Sequence, residues 1–127
     1  MSKAKNLMKL AEADLKVSEL LLNSYNDELM QNNAAYHTEQ ALEKLMKSLK
    51  ESHGAAATVT HSITALWKDL EELNVEIPEW VLDMDDEISS WATTIRYNAN
   101  FKSDHDSIEK ANRYIREWME SLTTETD

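Results

Sequence analysis

Four polar residues stand in a row within the stretch from Ala34 to Lys50: Tyr36, Gln40, Glu43 and Lys47, at spacings of four, three and four. On a helix that spacing puts them on one line, while Ala35, Leu42, Leu45, Met46 and Leu49 of the same stretch fall on an apolar face. A core requires the second set and does not require the first. A phenol, an amide, a carboxylate and an ammonium in line can hold a polar ligand, or they can form a solvated row of hydrogen bonds. A second group combines Arg96, Tyr97, Lys102 and His105. Arg, Tyr and His together can bind phosphate and exchange protons near neutral pH. The same residues also have a purely structural reading, since Arg is favourable at a helix C-terminus and His105 stands between two aspartates. His61 falls where a helix begins, and a cap-region hydrogen bond would account for it equally well.

Several chemistries are excluded by what is missing. There is no Gly-rich phosphate loop, no His-Glu-x-x-His zinc motif and no pair of core-facing Glu-x-x-His sets. With no Cys there is no disulfide, thiolate metal site or thiol nucleophile. Asp83, Asp85, Asp86 and Glu87 read as a solvated acidic face, so no metal and no cofactor is expected. Thirteen Lys and Arg against 24 Asp and Glu leave a formal net charge of −11. Such a surface repels phosphate backbones, so DNA is not an expected partner, and RNA could be one only through a local basic patch. Lys44, Lys47 and Lys50 form the one basic strip, either solvated and paired with Glu43 and Glu51 or open to an anion.

The elements that must position these residues are helical. The 127 residues include one Gly and one Pro, which favours long helices with short connections and a single domain over 1–127. A first helix is expected over 3–24, with Leu7, Leu10, Ala11, Val17, Leu20 and Leu21 as its apolar stripe and Asp14 as a boundary carboxylate. A second covers 28–53 and closes at His53-Gly54. A third runs over 61–73, capped by Thr58 or Thr60. Pro78 suits the first turn of a fourth, whose Val81, Met84, Ile88, Trp91 and Ile95 form a seam at spacings 3-4-3-4. This helix should end near Asn98. Ser103-Asp104-His105-Asp106 supplies cap residues for a fifth, with capping-box spacing between Asp106 and Glu109, and this helix carries Ile108, Ala111, Ile115, Trp118 and Leu122 before a frayed tail at 123–127. The fold class is all-α: an up-and-down bundle of four to five antiparallel helices. No uninterrupted apolar stretch suits a signal peptide or a membrane span, so the expected location is cytoplasmic.

Three segments together resemble the HEPN domain (higher eukaryotes and prokaryotes nucleotide-binding domain) in its small stand-alone prokaryotic form. Ala35 to Lys47 is similar to an aromatic-His-x-x-Gln-Ala-x-Glu-Lys-x-x-Lys helix of that family. Thr60-His61-Ser62-Ile63 resembles its Thr-His-Asp-Leu segment, and Ile95-Arg96-Tyr97-Asn98 resembles its Arg-Tyr-Pro. The resemblance implies a dimerising helical bundle with a nucleotide- or RNA-related role. It also implies a minimal nucleotidyltransferase as a partner, in pairs that can act as toxin and antitoxin. The ribonuclease branch uses Arg-x(4–6)-His, with the His as acid/base and the Arg on the scissile phosphate. Here eight residues separate Arg96 from His105, Asn98 replaces the Pro and Ser62 replaces the Asp. The non-nucleolytic branch therefore fits better.

Three functions follow as expectations. The first is a homodimeric module that binds a nucleotide or a partner nucleotidyltransferase through Tyr36, Gln40, Glu43, Lys47, His61, Arg96 and Tyr97. The second is a metal-independent ribonuclease using Arg96 and His105 as catalytic residues. The third is a structural adaptor in which the polar line has no ligand.

Overall fold

A computed structural model describes residues 2–56, 60–98 and 100–126, without the side chains of residues 2, 94–97 and 124–126. Five helices follow in order: α1 (Ser2–Ser24), α2 (Glu28–Ser52), α3 (Ile63–Glu72), α4 (Glu79–Tyr97) and α5 (His105–Thr126). The protein is an all-α helical bundle, and no strand occurs among the described residues. α2 is the central element and packs against each of the other four. Its buried residues include Ala34, Ala35, Ala41, Leu42, Leu45, Met46 and Leu49, so the apolar face read from the sequence is the middle of the core.

α1 and α2 run antiparallel, as their cross-links show. Asp14 pairs with His37 and Lys44, Ser18 bonds to Thr38, and the Ser48 hydroxyl donates to the Ala4 carbonyl. At the centre, Ser18, Thr38 and Asn112 close a buried ring across α1, α2 and α5 with distances of 2.7, 2.6 and 2.9 Å. Each side chain can donate once and accept once around that ring, so three polar groups are satisfied without water. Trp91 is fully enclosed. Trp118 is edge-on to Trp80, which stacks on Tyr114 and ties the start of α4 to α5.

The helix ends follow local chemistry. Asp27 caps α2 by accepting from the Leu29 and Met30 N–H groups. Gly54 at φ +83° continues from the His53 C-cap, and the Ala55 N–H returns to the Lys50 carbonyl at 2.9 Å. Asn74 does the same after α3 at φ 62°, with the Val75 N–H on the Leu70 carbonyl. The connection before α5 is fixed by Asn32, which accepts from the Ser103 backbone and hydroxyl and donates to the Phe101 carbonyl at 2.7 Å.

Several expectations are corrected. The cap of α3 is Ser62, whose hydroxyl accepts from the Ala65 N–H; Thr60 lies upstream of it, and Thr58 is outside the described residues. The cap of α5 is Asp104, one of the cap residues expected there, which accepts from the Ser107 N–H; the capping-box reading of Asp106 does not hold, because Asp106 is already inside the helix. Pro78 stands one position earlier than expected, as the N-cap of α4, where its carbonyl accepts from the Val81 N–H at 3.0 Å. Lys50 is buried and bonds to Asp69 at 2.8 Å, so it belongs to the α2–α3 contact and not to a solvated strip.

The largest correction is the phase of α1. Ala11, Leu15, Ser18 and Leu22 face the core, whereas Leu10, Val17 and Leu20 are 51%, 38% and 65% exposed. α1 carries apolar residues on two sides, and the periodicity of the outer stripe is as good as that of the inner one. Leu10→Ala and Leu20→Ala should each change unfolding free energy by less than about 0.5 kcal/mol, as surface substitutions do. Urea unfolding checks this. A loss like that of a core leucine would mean that the outer stripe is covered in solution.

Candidate ligand groove

A groove of about 740 Å³ lies between α2, α4 and the segment that leads into α3. Tyr36, Gln40 and Glu43 of α2 form one wall and Asp85, Asp86, Ser89, Ser90 and Thr93 of α4 the other, with His61 to Thr64 between them. The polar line of α2 has three of its four members here because α2 is buried on three sides, leaving this strip as one of its few open edges. Lys47 is displaced from the lining and stands behind Glu43, its ammonium 2.9 Å from Oε1.

Glu43 is the junction of the wall. Its carboxylate is almost wholly buried, and Oε1 also faces His61 Nδ1 at 2.7 Å. A carboxylate at Nδ1 fixes a proton there and turns Nε2 outward. The His61 side chain is 77% exposed, and Nε2 has no partner among the described residues. Sequence reading placed His61 at a helix start; the structure places it two residues before α3, where its ring is held by α2 rather than by a cap.

Glu39, one position before Gln40, was not singled out in the sequence. It is fully buried, Gln40 Nε2 donates to its Oε1 at 2.8 Å, and its Oε2 has no partner among the described residues. Burial and the neighbouring Glu43 charge push its pKa up to about 8, against the opposing pull of Gln40 and Lys47. At neutral pH Glu39 therefore keeps its proton and behaves as a neutral acid behind the groove wall.

Asp85 belongs to the acidic set expected to be solvated, and it is buried instead. It accepts from the Thr64 hydroxyl and Trp67 Nε1 of α3 and from the Ser89 hydroxyl on its own helix. Asp86 beside it is exposed and has no partner among the described residues. The two adjacent carboxylates thus differ in role: Asp85 joins α3 to α4, and Asp86 faces the groove opening.

The remaining residues of interest are less concentrated. Arg96 and Tyr97 occupy the last turn of α4, beyond Thr93, and their side chains lie outside the described residues. His105 is the first residue of α5, about half exposed, with Asp106 at 3.7 Å, and it does not line the groove. Lys102 pairs with Glu28 at 3.4 Å. Among the described residues no three His, Asp or Glu side chains converge as a metal site would require, and no helix is long and apolar enough to cross a membrane.

The family model of the HEPN domain matches residues 4–124, nearly the whole chain. The chain belongs to the HEPN family. Membership supports a nucleotide-binding or ribonuclease-type module in general. No curated protein and no solved structure matches the chain. Within the HEPN domain, the helix that carries the resemblance is also the most enclosed one, and its open edge is the groove wall.

Proposed function

We propose that this HEPN domain is a binding module that takes a nucleotide in the α2–α4 groove and serves as the partner of a minimal nucleotidyltransferase. One observation carries the reading: Tyr36, Gln40, Glu43 and His61, separated in sequence, line a single groove of about 740 Å³. That volume lies within the range of small-ligand sites. Glu43 fixes the His61 ring so that Nε2 is offered to whatever enters. A homodimer and a toxin–antitoxin-like pairing belong to the same proposal and rest on the family alone, and a cytoplasmic location belongs to it on the sequence pattern.

Titration of the purified protein with mononucleotides tests it. Nucleotide binding is expected, and His61→Ala should weaken it by about tenfold, the size of one lost hydrogen bond at an otherwise intact site. Because His61 is exposed and Glu43 keeps its Lys47 partner, thermal stability should fall only slightly in that variant. If no nucleotide binds, alone or with a nucleotidyltransferase present, the scaffold reading replaces this one.

A further inference from the structure

The chemistry of the groove walls says which part of a nucleotide they suit. Three carboxylates, Glu43, Asp85 and Asp86, line the groove, and no Lys or Arg does so among the described residues. The nearest ammonium, Lys47, is held by Glu43. The N-terminus of α3 reaches the groove at Ser62 to Thr64, and a free helix start would favour an anion. Here that end is partly served: Ser62 accepts from the Ala65 N–H, and the Asp85 carboxylate, on the side chains of Thr64 and Trp67, already sets a negative charge beside the first turns. A phosphate entering would meet like charge on two walls, in a chain of net charge −11.

The hydrogen-bonding groups agree with the charges. Ser89 and Ser90 spend their hydroxyl protons on Asp85 and on the Glu87 carbonyl, so both turn acceptor lone pairs outward. In the neutral imidazole, with the Nδ1 proton on Glu43, His61 Nε2 is an acceptor. The Asp86 carboxylate is an acceptor without a partner among the described residues. Apart from the Tyr36 and Thr93 hydroxyls, which can do either, these lining groups are acceptors and favour a ligand rich in donors. Ribose hydroxyls and an exocyclic base amine are such donors, and phosphate oxygens are not.

We propose that the groove takes the nucleoside end of its ligand, ribose and amino-bearing base, and leaves the phosphates outside the acidic walls. This rests on the nucleotide-binding reading above and specifies it. Calorimetric titration of the full-length protein with adenosine, AMP and ATP, without divalent cations, tests it. Adenosine should bind at least as tightly as AMP and about tenfold more tightly than ATP. Asp86→Asn, at an exposed position, should narrow the gap between adenosine and ATP by severalfold, because it removes the unpaired charge at the opening. ATP binding more tightly than adenosine overturns the proposal and leaves the nucleotide-binding reading standing. If none of the three binds, the proposal falls, and the nucleotide-binding reading falls with it only if no other mononucleotide binds either, alone or with a nucleotidyltransferase present.

Discussion

Replacing Glu39 by Gln should remove much of the pH dependence of folding. In the unfolded chain Glu39 loses its proton near the ordinary value of 4.5, and in the folded protein near 8. Between those pH values the folded state holds a proton that the unfolded state has released. Stability therefore falls as pH rises from about 4.5 to about 8 and levels off above that. A full shift between these values corresponds to up to about 5 kcal/mol, a large part of the stability of a domain this size. Glu39→Gln keeps the shape and the neutral charge of the protonated acid, and it can still face Gln40. Urea unfolding of both proteins at pH 5 and pH 8.5 makes the comparison. The wild-type midpoint should drop markedly between the two, the variant's much less, and the variant should be the more stable at pH 8.5. An equal drop in both proteins would show that Glu39 is ionised, or open to water, in the folded state.

That same residue shows where sequence reading stops. Helix number, order and the inward face of α2 were legible because Leu42, Leu45, Met46 and Leu49 have no competing apolar face on their helix. The phase of α1 was not legible, because Leu10, Val17 and Leu20 make an outer stripe with the same period as the inner one. Periodicity identifies a face but not which of two faces meets the core. Burial of polar residues was equally hidden. Glu39, Asp85, Ser18, Thr38 and Asn112 look like surface residues in sequence. They are buried because each finds partners on other helices, or sheds its charge, once the bundle assembles. The groove was half legible: the line Tyr36-Gln40-Glu43 was a signal of spacing, whereas Asp85, Asp86 and Ser89 opposite it depend on how α4 is set against α2.

Asp85→Ala should destabilise the protein by about 3 kcal/mol and abolish ligand binding in the groove. α3 has only ten residues, and Ile63, Leu66 and Leu70 are its buried residues. Against α4 its polar attachment is the Asp85 carboxylate, which takes the Thr64 hydroxyl and Trp67 Nε1 on one oxygen and Ser89 on the other. Hydrogen bonds to a charged group contribute about 1.5–3 kcal/mol each, and removing the acceptor leaves the partly buried indole N–H and hydroxyl without one. Asp85→Asn should cost less, about 1 kcal/mol. Its amide oxygen can serve Thr64 and Trp67, and the Ser89 hydroxyl can reverse and accept from the amide nitrogen. The order wild type, Asn, Ala in urea midpoint, with Trp67 fluorescence shifting to the red only in the Ala variant, is the expected pattern. Equal losses in both variants would mean that charge, and not the shared acceptor oxygen, holds α3. Because Asp85 belongs to both the α3–α4 joint and the groove wall, binding and stability should fall together here, whereas His61→Ala should separate them. The two variants between them distinguish a groove that exists for its ligand from one left over by packing.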